Sequence, residues 1–120
     1  MLPAAARMRR GSEFSRALRG GRRAGRPLVS GHLLCRPGHP EPARVGFVVS
    51  KAVGGAVVRN RVRRRLRHLA RGYLGSLPEG SLLVVRANPR AATARQADLA
   101  AELDLVIHAL LRRQGGTQRP

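Results

Sequence analysis

Seven side chains in one short stretch have the chemistry to hold anions. Arg59, Asn60, Arg61, Arg63, Arg64, Arg67 and Arg71 all fall within KAVGGAVVRNRVRRRLRHLAR, from Lys51 to Arg71. Each guanidinium carries a permanent charge and a planar fork of donors that matches phosphate geometry. Wound as a helix at about 100° per residue, the stretch separates into two faces. Val58, Val62, Leu66, Leu69 and Tyr73 make one apolar stripe. Asn60, Arg64, Arg67 and Arg71 fall opposite, with Arg61, Arg63 and His68 beside them. Arg59 and Arg65 lie at the margins, where long stems cover apolar surface and the charged heads stay wet. The helix is expected to run to about Gly72 and fray through Tyr73 and Leu74. A merely solvated face usually mixes charges of both signs. This one has no acid between Lys51 and Arg71, so its arginines repel one another unless a polyanion neutralises them.

Groups with the chemistry of catalysis are poorly supported. Asp98 and Glu102 stand four apart, but Arg95 three residues before Asp98 makes a surface ion-pair face the better reading. His32, His39, His68 and His108 show no metal-ligand spacing. Ser50 beside Lys51 lacks the GxSxG setting of a serine nucleophile. Gly54-Gly55 lacks the GKS ending of a phosphate-binding loop; it reads as a tight turn, whose free N–H groups at a helix start can also meet a phosphate. No catalytic residue and no metal site is assigned.

The rest of the chain supports binding. At 120 residues with 42% apolar content it is expected to form one domain, 1–120, with an ordered core of about 7–113 between a flexible basic arm and a loose tail. The net charge of +18 points to nucleic acid or an anionic surface. Lys51 is the sole lysine; codon bias in a high-GC genome would trade Lys for Arg without functional meaning, yet the physical consequence stands. Cys35 is the single cysteine, which excludes a disulfide framework. No transmembrane run and no opening signal segment is read, so a cytoplasmic protein without membrane partners is expected.

The elements that must position these residues follow in order. Ser12 is a candidate N-cap with Glu13 in the first turn, and a helix Ser12–Arg19 puts Phe14 and Leu18 on one face. The stretch around Arg22 to Arg26 is left open between a basic turn and a very short strand. Leu28–Arg36 suits a strand, with Val29, Leu33 and Cys35 on one face and Ser30, His32 and Leu34 on the other. After the proline-rich loop 36–43, Arg44–Lys51 is a second strand, and the tight connection predicts that the two pair antiparallel. The continuous apolar run SLLVVRA suits a buried strand, reached through the central helix by a parallel crossover. Thr93 and Gln96 match a capping box for a last helix, with Leu99, Leu103, Val106, Ile107, Leu110 and Leu111 facing inward. GGTQRP is expected to be loose. The class is α+β, a small mixed sheet packed with helices.

The segment VGFVVSKAVGGAVVRNRVRRRLRHL closely resembles the Arg-Asn-Arg signature of the bacterial ribonuclease P protein subunit. Ser50, Lys51, Gly54, Ala56, Val57, Arg59, Asn60, Arg61, Arg64 and Arg67 carry the agreement, and the order of elements extends it over roughly residues 7 to 112. Gly55 stands where the family usually has Asn, and Leu18 and His32 stand where aromatics are usual. The resemblance implies an αβββαβα sandwich, like the second domain of a small-subunit ribosomal protein, with a left-handed crossover into the last strand and a short extra strand near Arg22 to Arg26. It implies a non-catalytic subunit of an endoribonuclease whose RNA partner, using Mg2+, cleaves precursor tRNA to free the mature 5′ end. It also implies that the central helix (Arg59, Asn60, Arg61, Arg63, Arg64, Arg67, Arg71) binds the catalytic RNA. The single-stranded 5′ leader would lie between the first helix and the sheet, near Arg9, Arg10, Phe14, Arg16, Leu18, His32, Ser50 and Lys51. No DNA partner is expected. Phe14, His32 and Phe47 could stack on unpaired bases or simply pack in the core. The rival reading is a ribosomal or ribosome-assembly RNA-binding protein, which would share the charge but not this register.

Overall fold

The run LLVVRA is apolar on both of its faces, and only the middle of a sheet covers both faces of a strand. Leu82, Leu83, Val84 and Val85 are each at most 1% exposed. In the computed structural model, which describes residues 6–8 and 11–117, this run is the central strand β4 (Leu82–Ala87) of a four-stranded sheet. The other strands are β1 (Arg22–Gly25), β2 (Val29–Leu34) and β3 (Arg44–Val48), in the spatial order β1-β2-β4-β3. β1 and β2 are antiparallel, β2 and β4 antiparallel, β3 and β4 parallel. Helices α1 (Gly11–Gly20), α2 (Ala56–Ala70) and α3 (Gln96–Thr117) complete the order αβββαβα.

Alternation along the strands sends side chains to two cores. Val29 and Leu33 of β2, Val45 of β3 and Leu83 and Val85 of β4 pack with Val62 and Leu66 of α2 and Leu99, Leu103, Val106 and Leu110 of α3. On the opposite face, Leu82 and Val84 pack with Met8 and Ala17, and Phe14, Leu34 and Val48 close the cluster. The sheet is therefore sandwiched, α1 on one side and α2 with α3 on the other. Among the described residues no helix is long and apolar enough to cross a membrane.

Several expectations are corrected. β2 and β3 do not pair with each other: β4 lies between them, because its two-sided apolar character requires a neighbour on each edge. The short strand left open by the pattern is present as β1. Ser12 lies inside α1, which starts at Gly11. α2 ends at Ala70 and passes into a 3-10 turn, Arg71–Ser76. Thr93 and Gln96 form no capping box: Pro89 starts a 3-10 turn that ends at Thr93, Ala94 is extended, and α3 begins only at Gln96. α3 also runs on through Gly115 and Gly116 to Thr117, since glycine costs a helix about 1 kcal/mol but does not block it. Residues 1–5, Arg9, Arg10 and 118–120, which include most of the expected arm and the end of the tail, lie outside the described residues.

Candidate nucleic-acid interface

The turn after β3 sets the start of α2. Gly54 takes φ 155°, a conformation that side-chain-bearing residues rarely adopt, and extended Gly55 caps the helix. From there α2 buries Val62, Leu66 and Ala70 and leaves Asn60, Arg61, Arg64, His68 and Arg71 exposed, with Arg59, Arg63, Arg65 and Arg67 half-buried. No ion pair among the described residues involves an α2 arginine. Their partners are neutral: Arg63 Nη1 donates to Asn60 Oδ1 (3.1 Å), Arg61 Nη2 to the Ala92 carbonyl (3.4 Å) and Arg65 Nη1 to the Ala94 carbonyl (3.2 Å). One flank of α2 thus ties down the turn before α3. The other flank, with Arg63 and Arg67, turns toward α1.

α1 is fixed across the sheet by its first turn. Glu13 is buried, and its Oε2 accepts from Arg44 Nη1 at 3.1 Å, while Arg44 Nη2 reaches Glu41 Oε2, also at 3.1 Å. The helix lies over the row formed by Arg44, Leu82 and Leu34. Alongside it the strand register lays two further rows on the same face of the sheet: Gly46, Val84, His32 and Arg23, then Val48, Arg86, Ser30 and Gly25. Gly46 and Val84 are buried beneath Met8, Phe14 and Ala17, while Arg23, His32 and Arg86 stay open beside Leu18.

Two hollows flank this covered strip. At the β3 edge a small one, about 140 Å³, is lined by Arg7, Met8, Phe14, Val45, Gly46, Phe47, Arg63 and Arg67. Here α2's arginines meet the aromatic rings. Burial, then the charges of Arg7 and Arg63, make Arg67 less basic than an ordinary arginine. At the other end a hollow of about 490 Å³ is lined by Leu18, Arg23, Ser30, His32, Arg86 and Asn88. Burial, then the Arg23 and Arg86 guanidiniums, depress the pKa of His32, which favours its neutral ring.

The structure therefore brings together Phe14, Arg63 and Arg67 at one hollow, and Leu18 and His32 at another. Arg16 is exposed on α1 and lines neither hollow. Ser50 and Lys51 also line neither; their carbonyls accept from Val53 N and Gly54 N and so shape the turn into α2. Phe47 is half-buried against the larger core and also lines the smaller hollow. Arg86 was not singled out in the sequence, nor were Arg23, Ser30 and Asn88. A signal for Arg86 exists: it is the one charge in LLVVRA, and a lone charge in an apolar run marks the position where that strand meets solvent.

The alternative chemistry finds no support in the geometry. Glu102 Oε1 accepts from the Leu28 backbone N–H at 2.8 Å and Asp98 pairs with Arg95 at 3.2 Å, both structural contacts. Among the described residues no group of three His, Cys, Asp or Glu is placed to hold a metal ion.

Comparison with known proteins gives a consistent result. The family model described as Ribonuclease P matches residues 2–111. The chain is 54% identical to the ribonuclease P protein component of Streptomyces bikiniensis, over 98% of this chain and all of that one. It is 58% identical to that of a Nocardioides species, over 87% of this chain and 90% of the other. Among solved structures, the RNase P protein of Staphylococcus aureus superposes with a TM-score of 0.77 at 22% identity, covering 88% of this chain and 94% of that one. The RNase P protein of Thermotoga maritima does so with 0.71 at 21% identity, covering 88% and 96%. At those identities the two structures speak for the fold.

Proposed function

The chain belongs to the ribonuclease P protein family and so serves as the protein subunit of that RNA-containing enzyme, and from this premise we propose how its two surfaces divide the work. α2 binds the catalytic RNA, through Arg59, Asn60, Arg61, Arg63, Arg64, Arg67 and Arg71. The groove beside α1 holds the single-stranded 5′ leader of precursor tRNA. The observation that carries this reading is the meeting of the two: an acid-free arginine face whose inner flank, Arg63 and Arg67, lines one hollow with Phe14, while Leu18 and His32 line a second hollow beside α1. Structured RNA is held largely through phosphate, which suits the first surface. Unpaired bases are held by stacking and apolar contact beside cations, which suits the second.

Cleavage itself is assigned to the RNA, in the cytoplasm, with Mg2+ bound there. The protein's own donors do not suit the ion: its arginine field repels a cation, and no carboxylate lines the groove among the described residues. The subunit's contribution is then to position the leader and to screen phosphate repulsion, which lowers the magnesium the RNA requires. The ribosome-assembly alternative is not favoured by the family match. The deciding experiment compares precursor tRNA cleavage by protein alone, catalytic RNA alone and both together. Protein alone is expected to be inert, and the mixture to work at lower Mg2+ than the RNA alone. Cleavage by RNA-free protein, or an unchanged magnesium requirement, counts against the proposal.

A further inference from the structure

The larger hollow departs from a stacking site in a way that defines its ligand. Its floor is the row Arg86, Ser30, Gly25, on three neighbouring strands about 4.8 Å apart. Gly25 contributes no side chain, and the Arg23 guanidinium folds into that space: a Cβ on Gly25 would stand 3.2 Å from both of its terminal nitrogens. Ser30 is thus bracketed by two guanidiniums, Arg86 from β4 and Arg23 from β1. Arg86 is exposed and makes no ion pair or side-chain hydrogen bond among the described residues. No carboxylate lines the hollow, and its volume of about 490 Å³ is far more than one side chain needs. Leu18 walls it on the α1 side, and His32 completes the floor one row back.

We propose that this hollow is a phosphodiester seat: Arg86, with Arg23 and the Ser30 hydroxyl, grips one backbone phosphate of the single-stranded leader, the adjoining base resting on Leu18 and His32. The inference rests on the leader reading above and adds to it a specific contact and its chemistry. Two forked donors and a hydroxyl supply the several hydrogen bonds that a phosphate accepts. His32, one row back, adds a ring face beside them. Because phosphate contacts position a strand without reading its sequence, this nucleotide is held whatever its base. Arg86 therefore serves the binding role that a second aromatic would serve through stacking, but with tolerance for sequence and sensitivity to salt.

The test uses reconstituted holoenzyme and precursor tRNAs in which one leader linkage at a time is a neutral methylphosphonate beside a 2′-O-methyl ribose. With the natural protein, neutralising a single leader position is expected to weaken binding about tenfold, the scale of a charge-assisted hydrogen-bond pair. Arg86→Gln is expected to cost a similar factor on the unmodified leader, with no further loss when that linkage is neutralised, and Arg86→Lys to recover part of it. Changing the base at that position should leave both factors unchanged. Leaderless substrate should bind Arg86→Gln and natural holoenzyme alike. If Arg86→Gln leaves the methylphosphonate profile intact, the seat is refuted while the leader groove stands. If leader-bearing and leaderless substrates bind the natural holoenzyme equally, the groove reading fails first and takes the seat with it. Arg86 is exposed and outside both cores, and a thermal melt of Arg86→Gln matching the natural chain ties any loss to binding.

Discussion

Gly46 has no room for a side chain. A Cβ there would lie 2.5 Å from two ring carbons of Phe14 and 2.9 Å from Met8 Sδ. The two readings of Phe14 open in the sequence, core residue and groove residue, therefore coexist: its ring presses on β3 while lining the smaller hollow. Phe14→Ala is expected to cost roughly 2 kcal/mol of stability, less than a fully buried ring, and to weaken leader-bearing substrate more than leaderless. Gly46→Ala keeps the ring but forces it off its seat, at about 1–3 kcal/mol. It should reduce the leader-dependent increment in the same direction. Equal effects of both variants on both substrates would make Phe14 a core residue alone. Arg86 was not legible because it becomes a groove residue only through register: its neighbours Ser30 and Val48 are far away in sequence, and no local pattern reports on them.

At the scale of elements, α2 was legible because its determinants are local. The apolar stripe at helical spacing is the buried face observed, and the paired glycines are the turn into it. The residue at its N-cap is suboptimal. Gly55 is extended, donates no side-chain cap, and has open space where a Cβ would stand. Gly55→Asn is expected to stabilise the chain by about 0.5 kcal/mol, through the cap and a less flexible unfolded chain, read as a rise in Tm. The other end of α2 is tied to α3 by Tyr73, whose hydroxyl donates to Asp104 Oδ1 at 2.6 Å. Burial first, then this hydrogen bond and the carboxylate's charge, push its pKa up from 10.0 to about 12. The fold thus favours the protonated phenol: the interaction contributes fully below pH 10 and fades as pH rises toward 12. Tyr73 is the sole tyrosine, so the phenolate absorbance reads it alone. Its midpoint should fall toward 10 in Asp104→Asn or in denaturant, and a native midpoint already near 10 would refute the hydrogen bond. The pairing of strands, by contrast, was misread. A short connection between β2 and β3 suggested a hairpin, but burial of β4 on both faces outweighed proximity in the chain, and only the two-sided apolar run hinted at that.

For the whole molecule, the decisive quantity is where the few acids are placed. Glu13 and Glu41 hold Arg44, Asp98 holds Arg95, Glu102 holds Leu28 N–H near Arg26, and Asp104 holds Tyr73 and His108. Five of the six acids are so engaged, Glu79 standing exposed in a turn, and α2 is left as an uncompensated cationic face. The charge on the inner flank does not favour folding: Arg67 sits among like charges from Arg7 and Arg63. Removing its charge relieves repulsion that offsets the packing its stem provides, and Arg64 is exposed with no acid partner. An Arg64→Ala, Arg67→Ala double variant is accordingly expected to melt within a few degrees of the natural chain. Its binding to the catalytic RNA should change a great deal. Every phosphate that the protein no longer neutralises lowers the log–log dependence of affinity on salt by about 0.7 to 0.9, so the pair should reduce the slope by roughly 1.4 to 1.8. The single variants separate two roles. Arg64→Ala should affect leader-bearing and leaderless substrates alike, because it faces outward, whereas Arg67→Ala, at the mouth of the Phe14 hollow, should also reduce the leader increment. A double variant with the natural affinity and slope would remove this face of α2 from the RNA interface. A large fall in Tm without a change of slope would make these arginines part of the fold instead.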